Sequence, residues 1–485
     1  MRTPLSRLLL VASCACVAGC SMAPNYQRPA MAAIPAQFKE EPGWSVAVPS
    51  DAAARGAWWD LFGDPVLGAL EQRVEVTNQN VASARAAYQA ARALVQVQRS
   101  ALFPSLTGSA SDTHSETFSG QNLVGSTAPV ANNASAVNSR YALSIGASWE
   151  PDLWGRLGNT VNQAKASAQA SAGDLANATL SAQGELATNY MQLRGTDAQR
   201  QLLDSIVADY ARALTITTNK YNAGTVSHAD VFQAQTTLSN AEATRADLER
   251  QRAQLEHAIA VLVGENPSTF SIAPVEWKPV VPEIPALVPT ALLQRRPDIA
   301  AAERRVAAAN ARIGIQRAGY FPNLMLSGSI GTNSSVLSQL FSAATSLWSL
   351  GASAAVTLLD AGARRGNVLQ ARAQYDQTVA AYRQTVLAAF QQVEDNLAAT
   401  RFLATVAVRR GEAAAAATQA ETVTFNQYRN GIVDYNRVIT AQQSAFTARQ
   451  SEIQSVIDRQ IAAIALAQAV GGRWTGDAVP ANPPR

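Results

Sequence analysis

Lys220-Tyr221-Asn222-Ala223-Gly224 and Gln427-Tyr428-Arg429-Asn430-Gly431 carry the same message at two places in the chain. Each closes a long proline-free stretch, and each is followed by a second helical stretch rich in Ala and Gln. Working outward, Phe103-Pro104 recurs as Phe321-Pro322, and residues 152–159 recur as 360–367, both opening on Asp and ending on Gly-Asn. Four paired landmarks in one order define a duplicated unit. Its period of about two hundred residues far exceeds the roughly 20–50 of solenoid repeats, so this is one architecture made of two related halves.

Between these landmarks the sequence predicts long helices. Gly158-Asn159 opens a pattern that runs to about Tyr221, and Gly366-Asn367 opens one to about Tyr428; each spans about 60 residues, or about 90 Å at 1.5 Å per residue. Gly224 and Gly431 then supply the positive φ that a tight helix-to-helix reversal needs. The first return helix carries a heptad stripe of Val231, Ala234, Leu238, Ala241, Arg245, Leu248, Arg252, Leu255, Ile259 and Leu262. The second repeats it at Val438, Ala441, Ala445, Ala448, Glu452, Ser455, Arg459, Ala462, Leu466 and Ala469, flanked by Phe446, Ile453, Ile457 and Ile464. Two stripes imply a neighbour on each side, and Ala-rich seams such as 413–417 let helices approach closely. A rod-like coiled coil enclosing nothing is the alternative. Arg and Glu within the stripe are read here as the mark of a wall with one wet face.

Four segments alternate with period two. Tyr141, Leu143, Ile145, Ala147 and Trp149 interleave with Ala142, Ser144, Gly146 and Ser148; Leu324, Leu326, Gly328 and Ile330 interleave with Met325, Ser327 and Ser329. A further strand is expected over 348–358 and a weaker one over 102–118. Length and pattern fit transmembrane strands of about 9–11 residues, apolar toward lipid and polar toward a lumen, although a half-buried soluble sheet has the same pattern. Four strands cannot close a barrel, since the smallest has about 8, and an open edge is forbidden in lipid. If these strands span a membrane, several copies share one barrel.

The N-terminus adds an anchor. Arg2 and Arg7 flank an apolar core over residues 8–17, and Val17-Ala18-Gly19-Cys20 has the shape of a bacterial lipoprotein cleavage box; an ordinary signal peptide with a chance cysteine is the alternative. The apolar run is about half of the ~20 residues a membrane helix needs. Cleavage removes Cys14 and Cys16 and leaves Cys20 alone, which excludes a disulfide framework and a thiolate metal site. Each buried methylene of an acyl chain adds about 0.8 kcal/mol of membrane affinity, so two or more chains hold firmly. Ser21, rather than Asp, after the cysteine points to the outer membrane.

Composition closes other classes. Net charge is +3, charged residues are 15% of the chain, and Lys and Arg are scattered, so nucleic acid is not an expected partner. The longest apolar runs after Cys20, 258–263 and 461–470, are too short to cross a membrane as helices. His114, His228 and His257 are too few and too dispersed for a metal cage, and no nucleophile elbow or phosphate loop appears, so no catalytic site, metal or cofactor is expected beyond a covalent lipid on Cys20. For His228, near the Gly224 turn, pH sensing and an idle solvated loop histidine both stay open.

The resulting plan is a signal peptide at 1–19, an extended segment at 20–56, a first repeat at 57–265, a Pro-rich crossover at 266–289, a second repeat at 290–473 and a tail at 474–485. Each repeat holds a helix, two strands and a helical hairpin. Pro267, Pro274, Pro279, Pro282, Pro285 and Pro289 make the crossover extended and non-helical.

Several motifs in this frame resemble one family. They are Trp58-Trp59-Asp60-Leu61-Phe62-Gly63-Asp64-Pro65, Arg295-Arg296-Pro297-Asp298-Ile299, the run Ala308-Ala309-Asn310-Ala311-Arg312-Ile313-Gly314 leading to Phe321-Pro322, and both Tyr-x-x-Gly turns. Together they resemble the lipoprotein outer-membrane factors of tripartite RND efflux pumps, relatives of TolC and the NodT group, from Cys20 to about Trp474. The resemblance implies a mainly α fold with β: a homotrimer with a twelve-stranded β-barrel in the outer membrane, on a long periplasmic α-helical coiled-coil barrel with an equatorial belt. It implies a periplasmic adaptor, an RND inner-membrane pump and outer-membrane lipid as partners, and a passive duct rather than an enzyme.

It also implies a gate at the periplasmic tips, held by tyrosine, acidic and arginine contacts, with Tyr221, Gly224 and Gly431 at tips that meet the adaptor. By position Tyr428 matches the tip tyrosine and Asp230 its acidic partner, giving an expected Tyr428 hydroxyl to Asp230 carboxylate bond. A plain helix N-terminal charge is the alternative for Asp230. Asn436, Arg437 and Thr440 stand where relatives carry leucine or aspartates, with Asp434 nearby, so the lining is less acidic than the family's pattern. A type I protein-secretion duct and a non-conducting coiled-coil lipoprotein remain as other readings.

Overall fold

The computed structural model describes residues 21–30, 38–40, 57–117, 136–282 and 296–471. Cys20, Pro285, Pro289, Arg295 and Trp474 lie outside the described residues. Within them the chain runs α1 (Pro65–Thr77), α2 (Gln79–Ser100), β1 (Ser105–Thr117), β2 (Ala136–Trp149), α3 (Arg156–Asn222) and α4 (His228–Leu262). It then runs α5 (Pro297–Ala318), β3 (Asn323–Ser334), β4 (Ser346–Ala355), α6 (Ala363–Arg429) and α7 (Tyr435–Ala469). The two halves therefore repeat one order: α3 and α6 have 67 residues each, and α4 and α7 have 35 each. Contacts divide the chain into two compact units, one of residues 1–28, 90–168 and 304–379, the other of 29–89, 169–303 and 380–485.

The first unit holds one antiparallel sheet in the order β1-β2-β3-β4. Strands that a purely coiled-coil lipoprotein would lack are thus present. In register, Leu106 faces Ala147, Ala147 faces Gly328 and Gly328 faces Leu350; the next row is Gly108, Ile145, Ile330 and Trp348. Period-two alternation puts this whole set on one side of the sheet. Trp348 is 77% and Leu350 83% exposed, an apolar face that nothing among the described residues covers. Strand β4 ends at Ala355, short of the expected 358, because β3 starts after Pro322 and its last pair is Asn323 with Ala355, leaving no ladder partner beyond.

The two long helices begin slightly before the Gly-Asn pairs. The Asp152 carboxylate accepts from the backbone amides of Leu157 and Gly158 at 3.1 and 2.6 Å, and Asp360 accepts from those of Gly362 and Arg364 at 3.1 Å each. The repeated Asp is the capping residue, and Gly-Asn lies inside the first turn. Ser21 donates from Oγ to Asn159 at 3.2 Å, and Asn310 donates to the Pro24 carbonyl at 2.8 Å, tying the residues just after Cys20 to the start of α3 and the second half of α5.

In the second unit the heptad stripes face inward as expected: Ala234, Ala241, Leu248, Ile259 and Leu262 are buried, as are Val438, Ala445, Ser455, Ala462, Leu466 and Ala469. Helix α3 approaches α7 so closely that a Cβ on Gly195 would stand 2.1 Å from Ile457 Cδ1. Of the arginines within the first stripe, Arg252 departs from the expected wet face and Arg245 stays half-exposed. Arg245 pairs with Asp204 on α3 at 2.9 Å, and Arg252 is largely buried and donates to Asp197 at 2.7 Å. In the first hairpin both interruptions are ion pairs between its two arms.

That Arg252–Asp197 pair belongs to a larger network. Arg252 also donates to Glu256 at 3.2 Å and to the Ile272 carbonyl at 2.5 Å, while the Ile272 amide donates to Glu256 at 2.5 Å. Arg194, on the next turn of α3 from Tyr190, donates to the Ala273 carbonyl and to the Tyr190 hydroxyl, both at 2.9 Å. Tyr190 in turn donates to Asp64 at 2.6 Å, and Asp64 caps α1 through the amides of Val66 and Leu67. Charged side chains so clamp the non-helical crossover and the Trp58–Phe62 motif to the hairpin. Glu71 on α1 is the exception: it is fully buried with neither carboxylate oxygen partnered, and burial pushes its pKa up to about 9.

Candidate functional site

The sequence points to the hairpin tips, and the structure builds both alike. At the end of α3 the amides of Gly224 and Thr225 donate to the carbonyls of Tyr221 and Lys220 at 2.8 and 2.9 Å. At the end of α6 those of Gly431 and Ile432 donate to Tyr428 and Gln427 at 3.0 and 2.9 Å. Gly224 has φ +71° and Gly431 +75°, the left-handed cap that ends a helix cheaply only at glycine.

The return helices start differently. Ser227 caps α4 in a reciprocal box: its Oγ accepts from the Asp230 amide at 3.3 Å, and the Asp230 carboxylate accepts from the Ser227 amide at 2.9 Å. Asp434 caps α7 by accepting from the Arg437 amide at 3.0 Å. The expected Tyr428–Asp230 bond is therefore not formed within the chain. One oxygen of the Asp230 carboxylate is held at its own helix start, and the Tyr428 side chain points elsewhere.

Tyr428 is 3% exposed and packs with Tyr435, Val438, Ile439, Ala213 and Ala234 where the two hairpins meet. Its ring centre lies 5.5 Å from that of Tyr435, and its hydroxyl is 3.5 Å from Thr217 Oγ1 on α3. Lys220 Nζ sits 3.8 Å from the Tyr428 ring centre and donates to the Tyr428 carbonyl at 3.4 Å, a cation over an aromatic face that also satisfies a helix-end carbonyl. Burial pushes the Tyr435 phenol up to about 12, aided by its tyrosine neighbours and opposed by a hydrogen bond with Thr217. Among the described residues no ion pair joins the two hairpins at this end.

Asn436, Arg437 and Thr440 lie on the exposed side of α7, opposite the buried Tyr435, Val438 and Ile439, and Gln443, Ser444 and Thr447 continue that polar stripe. Tyr221 stacks on His228 at 4.7 Å, and His228 meets Phe232 at 4.2 Å, an aromatic row at the first tip. His228 is the first residue of α4 and is exposed, with its ring between those of Tyr221 and Phe232. Thr217, Lys220 and Tyr435, which meet Tyr428 here, are not among the gate residues the sequence marks out at the tips. Lys220, in the last turn before a Gly cap, carried a readable signal; Thr217 did not.

The sheet of the first unit offers a separate candidate surface on its second face. Ser105, Ser148, Ser327 and Gly351 form one row, and Thr107, Gly146, Ser329 and Ser349 the next. Serine hydroxyls pair across it at 2.8 Å between Ser105 and Ser148, Ser109 and Ser144, and Ser329 and Ser349. A face of small, hydroxyl-bearing side chains opposite an apolar one suits a water-filled lumen inside a lipid-facing wall.

A sequence model of the family described as outer membrane efflux protein matches residues 70–265 and 288–472, one segment in each half. The solvent efflux pump outer membrane protein SrpC of Pseudomonas putida is 30% identical over 463 residues, covering 94% of this chain and 96% of that protein. The outer membrane protein OprJ of Pseudomonas aeruginosa is 29% identical over 486 residues, covering 98% and 97%. Among solved structures, the outer-membrane channel OprN matches with a TM-score of 0.83 at 28% identity, covering 93% of this chain and 99% of that one. The open state of the Neisseria gonorrhoeae MtrE outer membrane channel matches with 0.81 at 26% identity, covering 94% and 98%.

Proposed function

The chain belongs to the outer membrane efflux protein family, and from that premise we propose that three copies close one barrel and form the exit duct of a tripartite efflux pump. The observation that carries this is the sheet: four strands, two open edges at β1 and β4, one apolar face and one hydroxyl face. Lipid tolerates no open edge, four strands cannot close, and three copies give twelve. The duct is passive; a periplasmic adaptor and an RND inner-membrane pump supply selection and energy. SrpC is named for solvent efflux, and small organic compounds are the proposed cargo here also. No observation favours a protein-secretion duct.

A lipid on Cys20 adds the anchor, and the docking of Ser21 on Asn159 supports an ordered attachment beside the end of β2. At the tips, Tyr428 with Thr217, Tyr435 and Lys220 holds the hairpins together as the gate, Asp434, Asn436, Arg437 and Thr440 line the wet side, and Tyr221, Gly224 and Gly431 meet the adaptor. Mass in detergent together with planar-bilayer conductance tests the reading. A trimer with small, brief openings is expected; a monomer without conductance overturns it.

A further inference from the structure

The two faces of the sheet differ in charge as well as in polarity. On β1, Asp112, His114 and Glu116 share the side that carries Leu106 and Ala110, and the register aligns Asp112 with Tyr141 and His114 with Ser139. On the hydroxyl side the register places Thr113 beside Arg140, at the end of the sheet away from the helix-joined strand ends. Through both halves of the repeat, Arg140 is the one formally charged residue on that side of the described strands; every other position there is Ser, Thr, Asn, Gly, Ala, Met or Leu. Residues 118–135 and 335–345, which connect the strands at this end, contain no charged residue in sequence. Neither the described strands on this face nor the sequences that connect them at this end therefore supply an acidic group to neutralise the guanidinium.

Arg140 is also positioned. Its Nε donates to Asn333 Oδ1 on β3 at 3.1 Å, a diagonal neighbour across the strands, while the side chain remains exposed. One nitrogen fixes the group and the rest of the fork stays available, which suits a guanidinium to anions better than to structure.

We propose that Arg140 makes the outer mouth of the duct anion-selective: three copies, one per protomer, form a positive ring that draws negatively charged solutes into the last stretch of the lumen and repels cations. The proposal rests on the trimeric duct reading. A wide, water-filled mouth screens strongly, so the effect depends on local salt: the Debye length is about 30 Å at 0.01 M and about 3 Å at 1 M. In dilute salt the ring acts across the opening, and in concentrated salt it acts only at its own surface.

The test is the reversal potential of the purified protein in a planar bilayer under a KCl gradient, run in both directions. With dilute salt on the strand side, the wild type and Arg140→Lys are expected to share one potential. Arg140→Ser should move it toward the cation side, and Arg140→Glu further still. With dilute salt on the helix-tip side the differences should vanish, which locates the group. Because Lys keeps the charge but not the fork, its agreement with wild type separates charge from folding. Conducting channels with the same potential in all four forms overturn the role of Arg140 and leave the duct standing. A wild type that never conducts overturns the duct, and this proposal with it.

Discussion

The middle of the hairpin bundle and its tips are built from the same four helices and held by opposite means. In the middle, Arg194, Asp197, Arg252 and Glu256 are largely buried, and the network they head ends on backbone groups of the crossover and on Asp64. At the tips, tyrosines pack on alanines and valines, the Tyr428 hydroxyl contact to Thr217 stretches to 3.5 Å, and a lysine lies over a ring. Buried charge pairs tolerate almost no displacement, because losing a partner strands an ion in low dielectric. Aromatic packing survives a slide of an ångström or two. The difference is what a duct with a fixed waist and a movable end requires.

The largest effect is expected at the waist. Arg252→Ala leaves Asp197 with only Arg194 at 3.6 Å and Glu256 with only the Ile272 amide, and it frees the Ile272 carbonyl, which should lower stability by about 3 kcal/mol, the low end for a broken buried pair, in thermal unfolding of the detergent-solubilised protein. An unchanged midpoint would break the contrast at its strongest point.

Glu71 sharpens it from the other side, as the waist's unsatisfied group. Its carboxyl is held neutral, its pKa raised from 4.5 to about 9, so the fold loses stability as pH rises from about 4.5 through about 9. Unfolding midpoints measured across that range should decline in the wild type, and Glu71→Gln should remove this contribution to the slope.

Smaller effects belong to the tips. Ser227→Ala opens the capping box of α4 at a cost of about 0.5–2 kcal/mol, read as faster amide exchange in the first turn of that helix. Tyr428→Phe removes only the long hydroxyl contact and should change stability by less than about 0.5 kcal/mol. A large loss there would mean that the hydroxyl, rather than the ring, holds the hairpins.

Much of the frame was legible because it rests on local rules. Positive-φ glycines at 224 and 431, alternation along β2 and β3, and the heptad stripe on α4 each follow from neighbours a few residues away. The partners of polar side chains were not legible, since they depend on which helices meet. Arg252 reads in sequence as a wet interruption and turns out to be a buried clamp. Asp230 reads as the partner of a distant tyrosine, yet a serine three residues earlier reaches its carboxylate first. Short-range caps win such contests because little chain entropy is lost in forming them.

Single-channel conductance of Tyr428→Ala against the wild type tests the account most directly. Removing the ring that joins the hairpins should give larger and longer openings in a protein that is still trimeric. Trimers whose openings match those of the wild type would contradict a gate held by packing at the tips.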